Sequence, residues 1–293
     1  MKNVLFLFVI LLFASCTPRE TTTSTSKEFL PGKKLAELTL KKLDEVSGLA
    51  SSTNNPGLFW AHNDSGNDAE IFLIDQDVKI IQTYVLQGVE NRDWEDIAVG
   101  PGPDSTKNYV YIGDIGDNSA MFRLKYIYRF EEPVLGAAGK KITIANFDTI
   151  TFQLPGAKKD TEALLIDPKT KDIYVISKRE EPVYLYQMKY PYPTNDTITA
   201  LQVGSMPLTQ IVAGSFSADG REILIKNYNH VYYWKNSSNK AIPELLMEKP
   251  QVIPYEVEPQ GESITWAYDN SGFYTISEKD EGKKSFLYFY QRK

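Results

Sequence analysis

The chain has 293 residues, with 38 Asp and Glu against 32 Lys and Arg, a formal net charge of −6, and one cysteine beside 18 tyrosines and 14 phenylalanines. An acidic protein offers no general attraction to a phosphate backbone, so nucleic acid is not expected as a partner. A single thiol cannot form an internal disulfide, and the fold must rest on its apolar core.

In chain order, the first 16 residues carry Lys2, an apolar run over 4–13 and then Ala14-Ser15-Cys16. This is the layout of an export signal, and the apolar run is too short to span a bilayer permanently. Small residues before Cys16 resemble the lipobox of bacterial lipoproteins, with Phe13 where that pattern usually has Leu. The resemblance implies that Cys16 becomes a lipidated first residue, attached to a membrane of the cell envelope. Residues 17–30, dominated by a Thr/Ser run, are expected to be a disordered tether. Residues 31–293 read as one domain.

Within that domain one unit recurs five times. Its first strands are Val46-Ser47-Gly48-Leu49-Ala50, Trp94-Glu95-Asp96-Ile97-Ala98, Thr161-Glu162-Ala163-Leu164-Leu165, Ile211-Val212-Ala213-Gly214-Ser215 and Gly261-Glu262-Ser263-Ile264-Thr265. After a turn rich in Asp, Gly, Pro or Asn come second strands at 58–61, 109–112, 173–176, 222–225 and 273–276. Third strands alternating aromatic with aliphatic follow at 71–74, 126–130, 183–186, 231–234 and 286–290. Fourth strands are expected at 80–86, 149–154, 200–204 and 245–253, and the fifth unit, which ends at Lys293, takes its fourth from 35–40.

The equivalent positions 47, 95, 162, 212 and 262 are spaced by 48, 67, 50 and 50 residues. Four antiparallel strands repeated radially, with the N-terminal strand completing the last unit, predict an all-β, five-bladed β-propeller. Closure removes the edges that an open sheet would expose. The long interval holds a detour over 131–146 with one further strand at 141–145, which leaves six blades as the alternative. Trp60, Trp94, Trp234 and Trp266 fall in or beside strands and read as core.

In a propeller the first strand of each blade lines the channel, and the loop between second and third strands opens at the same end as the start of the first. The equivalent channel positions are Ser47, Glu95, Glu162, Val212 and Glu262. Three converging carboxylates repel one another unless protonated or bridged by a cation. An all-oxygen set suits Ca²⁺, with Ser47 and water completing the shell. His62 and His230 are the only histidines and the domain has no cysteine, so a zinc site lacks ligands. The plainer alternative is that the glutamates accept backbone N–H groups at the channel mouth.

The facing loops supply His62, Asn63, Asp117, Asn118, Lys178, Arg179, Lys226 and Glu278 as candidate ligand contacts, and Asp64 and Asp114 as candidate catalytic bases. Carboxylates on one side and cations on the other suit a small anionic ligand that also bridges a metal. Turn preference is the competing explanation for these residues. It accounts well for Asp167, Asp219 and Asp269 at the opposite end.

Trp60-Ala61-His62-Asn63-Asp64-Ser65-Gly66, Asp93-Trp94-Glu95-Asp96-Ile97-Ala98, Gly113-Asp114-Ile115-Gly116-Asp117-Asn118 and Ser217-Ala218-Asp219-Gly220 resemble the motifs of a large family of exported bacterial propellers with no assigned activity. Separately, Ser47, Glu95, Glu162 and Glu262 are similar to the Ser/Glu pattern that holds the central calcium of five-bladed calcium-activated nucleotidases (apyrases), with Val212 where that pattern has Ser. The second resemblance implies a calcium site and leaves the substrate open. The expected function is an exported, lipid-anchored, calcium-dependent hydrolase of a phosphorylated or anionic small molecule. The alternatives are a non-catalytic binding or assembly module with a structural calcium, and a glycoside hydrolase built on paired carboxylates.

Overall fold

A computed structural model describes residues 27–136, 141–280 and 282–293. Cys16, the export signal and the tether up to residue 26 lie outside the described residues. The chain enters with β1 (Lys33–Glu37) and then builds β2 (Val46–Ser51), β3 (Phe59–Asn63), β4 (Glu70–Ile74) and β5 (Ile80–Leu86) as the first blade. The second blade comprises β6 (Trp94–Pro101), β7 (Asn108–Asp114) and β8 (Lys125–Glu131) and, after the short β9 (Ile142–Ile144), β10 (Asp148–Gln153). The third is β11 (Thr161–Ile166), β12 (Ile173–Ser177) and β13 (Val183–Met188) and, after β14 (Thr197–Thr199), β15 (Leu201–Met206). The fourth is β16 (Ile211–Phe216), β17 (Glu222–Asn227), β18 (Val231–Lys235) and, past a single helical turn α1 (Ile242–Leu246), β19 (Gln251–Ile253). The last blade is β20 (Ser263–Trp266), β21 (Gly272–Ile276) and β22 (Phe286–Gln291), with β1 antiparallel on its outer edge.

The described residues therefore form a five-bladed propeller closed by the N-terminal strand. The detour that left six blades as the alternative is spent otherwise, because β9 adds in parallel to the outer edge of β5 and extends the first blade. Likewise β14 adds in parallel to β10. Both additions cover outer strands that would otherwise present unpaired backbone groups.

Both faces of each blade are buried, so side-chain alternation sorts residues between two neighbours instead of between core and water. Along β11, Ala163 and Leu165 join a core shared with the fourth blade, while Leu164 and Ile166 join one shared with the second. Five such cores fill the five interfaces. The four tryptophans are buried in or against these cores.

Two expectations need correction. The strand anticipated over 245–253 begins as helix α1, because Ile242, Leu245 and Leu246 recur at helical spacing and bury one face on the core between the third and fourth blades. The tether expected to run to residue 30 ends sooner: Phe29 is buried against Tyr233, Trp266 and Phe273, and Leu30 donates its N–H to Gln291 O at 2.8 Å. A phenyl ring with an apolar slot to fill outweighs the polar composition of the residues before it.

Candidate functional site: an acidic cavity at the channel mouth

The inner strands β2, β6, β11, β16 and β20 stand side by side around the axis. Their first residues carry a shared irregularity. Val46 pairs with Asn63 and Gly48 with His62, so Ser47 is skipped; Glu95, Glu162 and Val212 are skipped at the corresponding step of the next three blades. A bulge of this kind re-aims the extra side chain, and it turns the repeat position off the sheet face. In the last blade Glu262 stands immediately before β20 and has the same role without a bulge.

Glu95, Glu162 and Glu262 thereby reach one cavity of about 280 Å³, completed by Asp64, Asn118, Lys178, Arg179, Gln210, Tyr228, Gln260 and Glu278. Every lining side chain is polar. Oxygens of Glu95, Asp160 and Glu162 lie within 4.8 Å of one another, and the same holds for Asp64, Asp93 and Glu95 and for Asp64, Glu262 and Glu278. The Lys178 ammonium sits 2.5 Å from Glu162 Oε1 and 3.7 Å from Glu262 Oε1, above the Tyr228 ring. The Tyr228 hydroxyl donates to Glu262 Oε1 at 2.5 Å. Glu162 Oε2 is buried with no hydrogen-bond partner. Arg179 donates from Nε to Asp160 Oδ2 at 2.8 Å, and its Nη2 donates to Asn118 Oδ1.

Crowding leaves its mark on protonation. Burial, and then the Glu162 charge, push Glu95 well above the ordinary carboxylate range. Glu162 moves the same way because burial outweighs the Lys178 ammonium. Burial raises Asp64 to about 6, and burial with the neighbouring Glu262 raises Glu278 to about 8. Gly116 makes the packing possible, since a Cβ there would lie 2.5 Å from Asp93 Cγ and directly against Glu95 Oε1.

Of the sequence candidates, Glu95, Glu162, Glu262, Asp64, Asn118, Lys178, Arg179 and Glu278 line this cavity. The others are used elsewhere. Ser47 Oγ donates to the Glu95 carbonyl at 2.6 Å and ties the first blade to the second. Asp114 is buried in an ion pair with Arg92 at 2.9 Å. Asp117 accepts the N–H groups of Met121 and Phe122 and shapes its own loop. Asn63 Nδ2 donates to Lys42 O at 3.0 Å, and the buried His62 engages Asn63 O through Nδ1 at 2.9 Å. Lys226 is fully buried behind the site, donating to the Gly261 carbonyl.

Asp93 and Asp160 were not anticipated, yet a sequence signal for them exists. Asp93, Asp160, Gln210 and Gln260 all stand two residues before the channel position, as does Glu45 in the first blade. Asp96 was also missed. Its Oδ2 accepts the N–H groups of Leu164 at 2.9 Å and Gly214 at 3.3 Å, so one buried carboxylate joins the inner strands of three blades beneath the cavity. Asp167, Asp219 and Asp269 cap turns at the opposite end, as turn chemistry predicts.

The donor set is compatible with a hard divalent cation. Close carboxylate oxygens, an orphaned buried oxygen on Glu162 and the close backbone approach at Gly116 agree in that respect. Fold and cavity together define a closed five-bladed β-propeller with an acidic, all-polar pocket at one end of its channel. No protein-family model matches the chain, and a search of curated proteins finds no match either.

Proposed function

We propose that this propeller binds a divalent cation, Ca²⁺ by the oxygen-only chemistry of the donors, at the channel mouth, and that it acts there as an exported hydrolase of a phosphorylated or otherwise anionic small molecule. The observation that carries the reading is the gathering of Glu95, Asp160 and Glu162, together with one buried Glu162 oxygen that has no hydrogen-bond partner. Glu95, Glu162 and Asp160 would hold the ion, with Glu262 beside them. A bound cation supplies charge stabilisation for an anionic oxygen. Arg179 and Lys178 are the cations of the cavity that meet an anionic group. Asp64 is the one of the two candidate bases that lines the cavity, and it is assigned to take the proton from an attacking water.

The likeness to exported propellers and to calcium-activated nucleotidases belongs to the same proposal and rests on the sequence motifs. Export and anchoring through Cys16 do as well; loss of palmitate labelling in Cys16→Ala tests the anchor. A second reading, in which the ion is structural and the protein binds without turnover, is favoured by one feature. Lys178 and Arg179 are already engaged with Glu162 and Asp160, and an ion on Glu95 and Glu162 would tie β6 to β11. For glycoside hydrolysis the paired carboxylates are in place, since Asp64, Glu162 and Glu278 share the cavity, whereas the four tryptophans that might carry a sugar are buried between blades.

Calorimetry with calcium and with chelator decides whether the cation binds. Wild type is expected to melt higher in calcium. Glu95→Gln is expected to change sign between conditions: relief of carboxylate repulsion stabilises the metal-free protein by about 1–3 kcal/mol, while the calcium response disappears. Wild type that melts identically in calcium and chelator overturns the proposal. Turnover of phosphomonoesters, nucleotides or phytate that needs calcium and is lost in Glu162→Gln supports the hydrolase over the binding module.

A further inference from the structure

The cavity contains a cation of its own. Lys178 leaves the end of β12 with its backbone fixed on both sides, its N–H donating to Asp160 O at 3.1 Å and its carbonyl accepting from Gln210 N at 2.6 Å. Its ammonium is thereby delivered between Glu162 and Glu262, the glutamates of two different blades, over the face of Tyr228. Charge explains why the position matters. Glu95, Glu162, Glu262, Asp64 and Glu278 line the pocket, and Lys178 and Arg179 are the only cations that do so among the described residues. Arg179 is taken by Asp160 and Asn118 at the rim. Lys178 is the cation of the cavity that reaches both Glu162 and Glu262. It binds one oxygen of Glu162 and leaves the other, Oε2, buried and unpartnered, in a residue that clusters with Glu95 and Asp160.

Resting on the cation reading above, we propose that Lys178 is an internal competitor for the divalent ion: it neutralises Glu162 and Glu262 while the site is empty, sets the affinity of the site, and is released by cation binding to face an anionic ligand. Two cations drawn to the same carboxylate oppose each other directly. An ammonium a few ångströms from a bound ion costs affinity by Coulomb repulsion even with substantial screening. When the ion takes Glu162, Lys178 loses its closest partner and keeps Glu262 and Tyr228 at the cavity wall. Cation binding thus turns an inward-facing charge into one available to an anion, which couples the two ligands.

The test uses the full chain, freed of metal, titrated with calcium chloride alone in a calorimeter. Lys178→Met and Lys178→Gln, two shapes without the charge, are expected to bind calcium about tenfold more tightly than wild type or better. Both are expected to melt lower than wild type in chelator and to regain the difference in calcium. Lys178→Arg, which keeps the charge, stays close to wild type. Calcium bound by wild type with equal or weaker affinity in both neutral variants overturns the role of Lys178 and leaves the cation site standing. Calcium bound by none of the four proteins overturns the cation site and this inference with it. Inorganic phosphate titrated with and without calcium reads the coupling: tighter phosphate binding in calcium, lost in Lys178→Met, supports the release of Lys178, and phosphate binding indifferent to calcium overturns it.

Discussion

His62 shows how one residue's role depends on its surroundings. As the first residue of a polar loop motif it looked like a ligand contact, but its ring is fully buried, edge-on to Trp94 with 5.6 Å between centroids. Burial is the main reason its pKa falls from 6.5 to about 4, against the Asn63 carbonyl, which favours the charged form. A pKa depressed by folding makes a contribution that is fully present above about pH 6.5 and is lost as the pH drops through about 4. Over that window His62 is expected to cost the wild type about 3 kcal/mol relative to His62→Phe. Urea titrations of both proteins at neutral pH and near pH 4 check this, and a constant difference between them would show that the ring is not held neutral. Asp114 and Lys226 teach the same lesson. Each has the chemistry expected of the site, and each is drawn into an internal contact by a partner, Arg92 or the Gly261 carbonyl, that lies far away or unremarked in the sequence.

At the scale of the element, the inner strands decide the site. Their edges face the channel and make no ladder with the next blade, so side chains must satisfy the backbone groups there. Ser47 does so at the mouth, Ser51 Oγ and Thr265 Oγ1 do so between the first and last blades, and Asp96 does so at the centre. Asp96→Ala removes the acceptor shared by Leu164 and Gly214 and is expected to destabilise the protein by about 3 kcal/mol or more; Asp96→Asn keeps one oxygen and costs less. Chemical denaturation ranks the three proteins, and equal stability would mean that water replaces the carboxylate without penalty. The strand period was readable from the sequence for nearly every strand, because apolar residues and turn residues alternate at the proper lengths. The bulges at Ser47, Glu95, Glu162 and Val212 were not, since a skipped residue leaves no trace in composition.

The whole molecule is a ring, closed where the N-terminal strand meets the C-terminal one. There β1 pairs with β22, and Phe29 adds its ring to the core between the last two blades, beneath the Arg292 guanidinium. Phe29→Ala is expected to lower stability by about 3–5 kcal/mol as a core truncation would, although the residue lies before the first strand. A thermal melt within about 1 kcal/mol of wild type would place it outside the cooperative unit. By itself the sequence determined the recurring unit, the closing strand, the buried tryptophans and the convergence of Glu95, Glu162 and Glu262, because a repeated hydrophobic pattern fixes which positions are equivalent and a closed ring brings equivalent positions to one axis; the choice of five blades over six was made by the pairing of β9 with β5. Only the tertiary structure decided which loop residues share that axis. Asp93, Asp160 and Tyr228 come in, and Ser47, His62, Asp114 and Lys226 turn away, because a side chain's direction follows from local bulges and from partners on neighbouring blades that are close in space and distant along the chain.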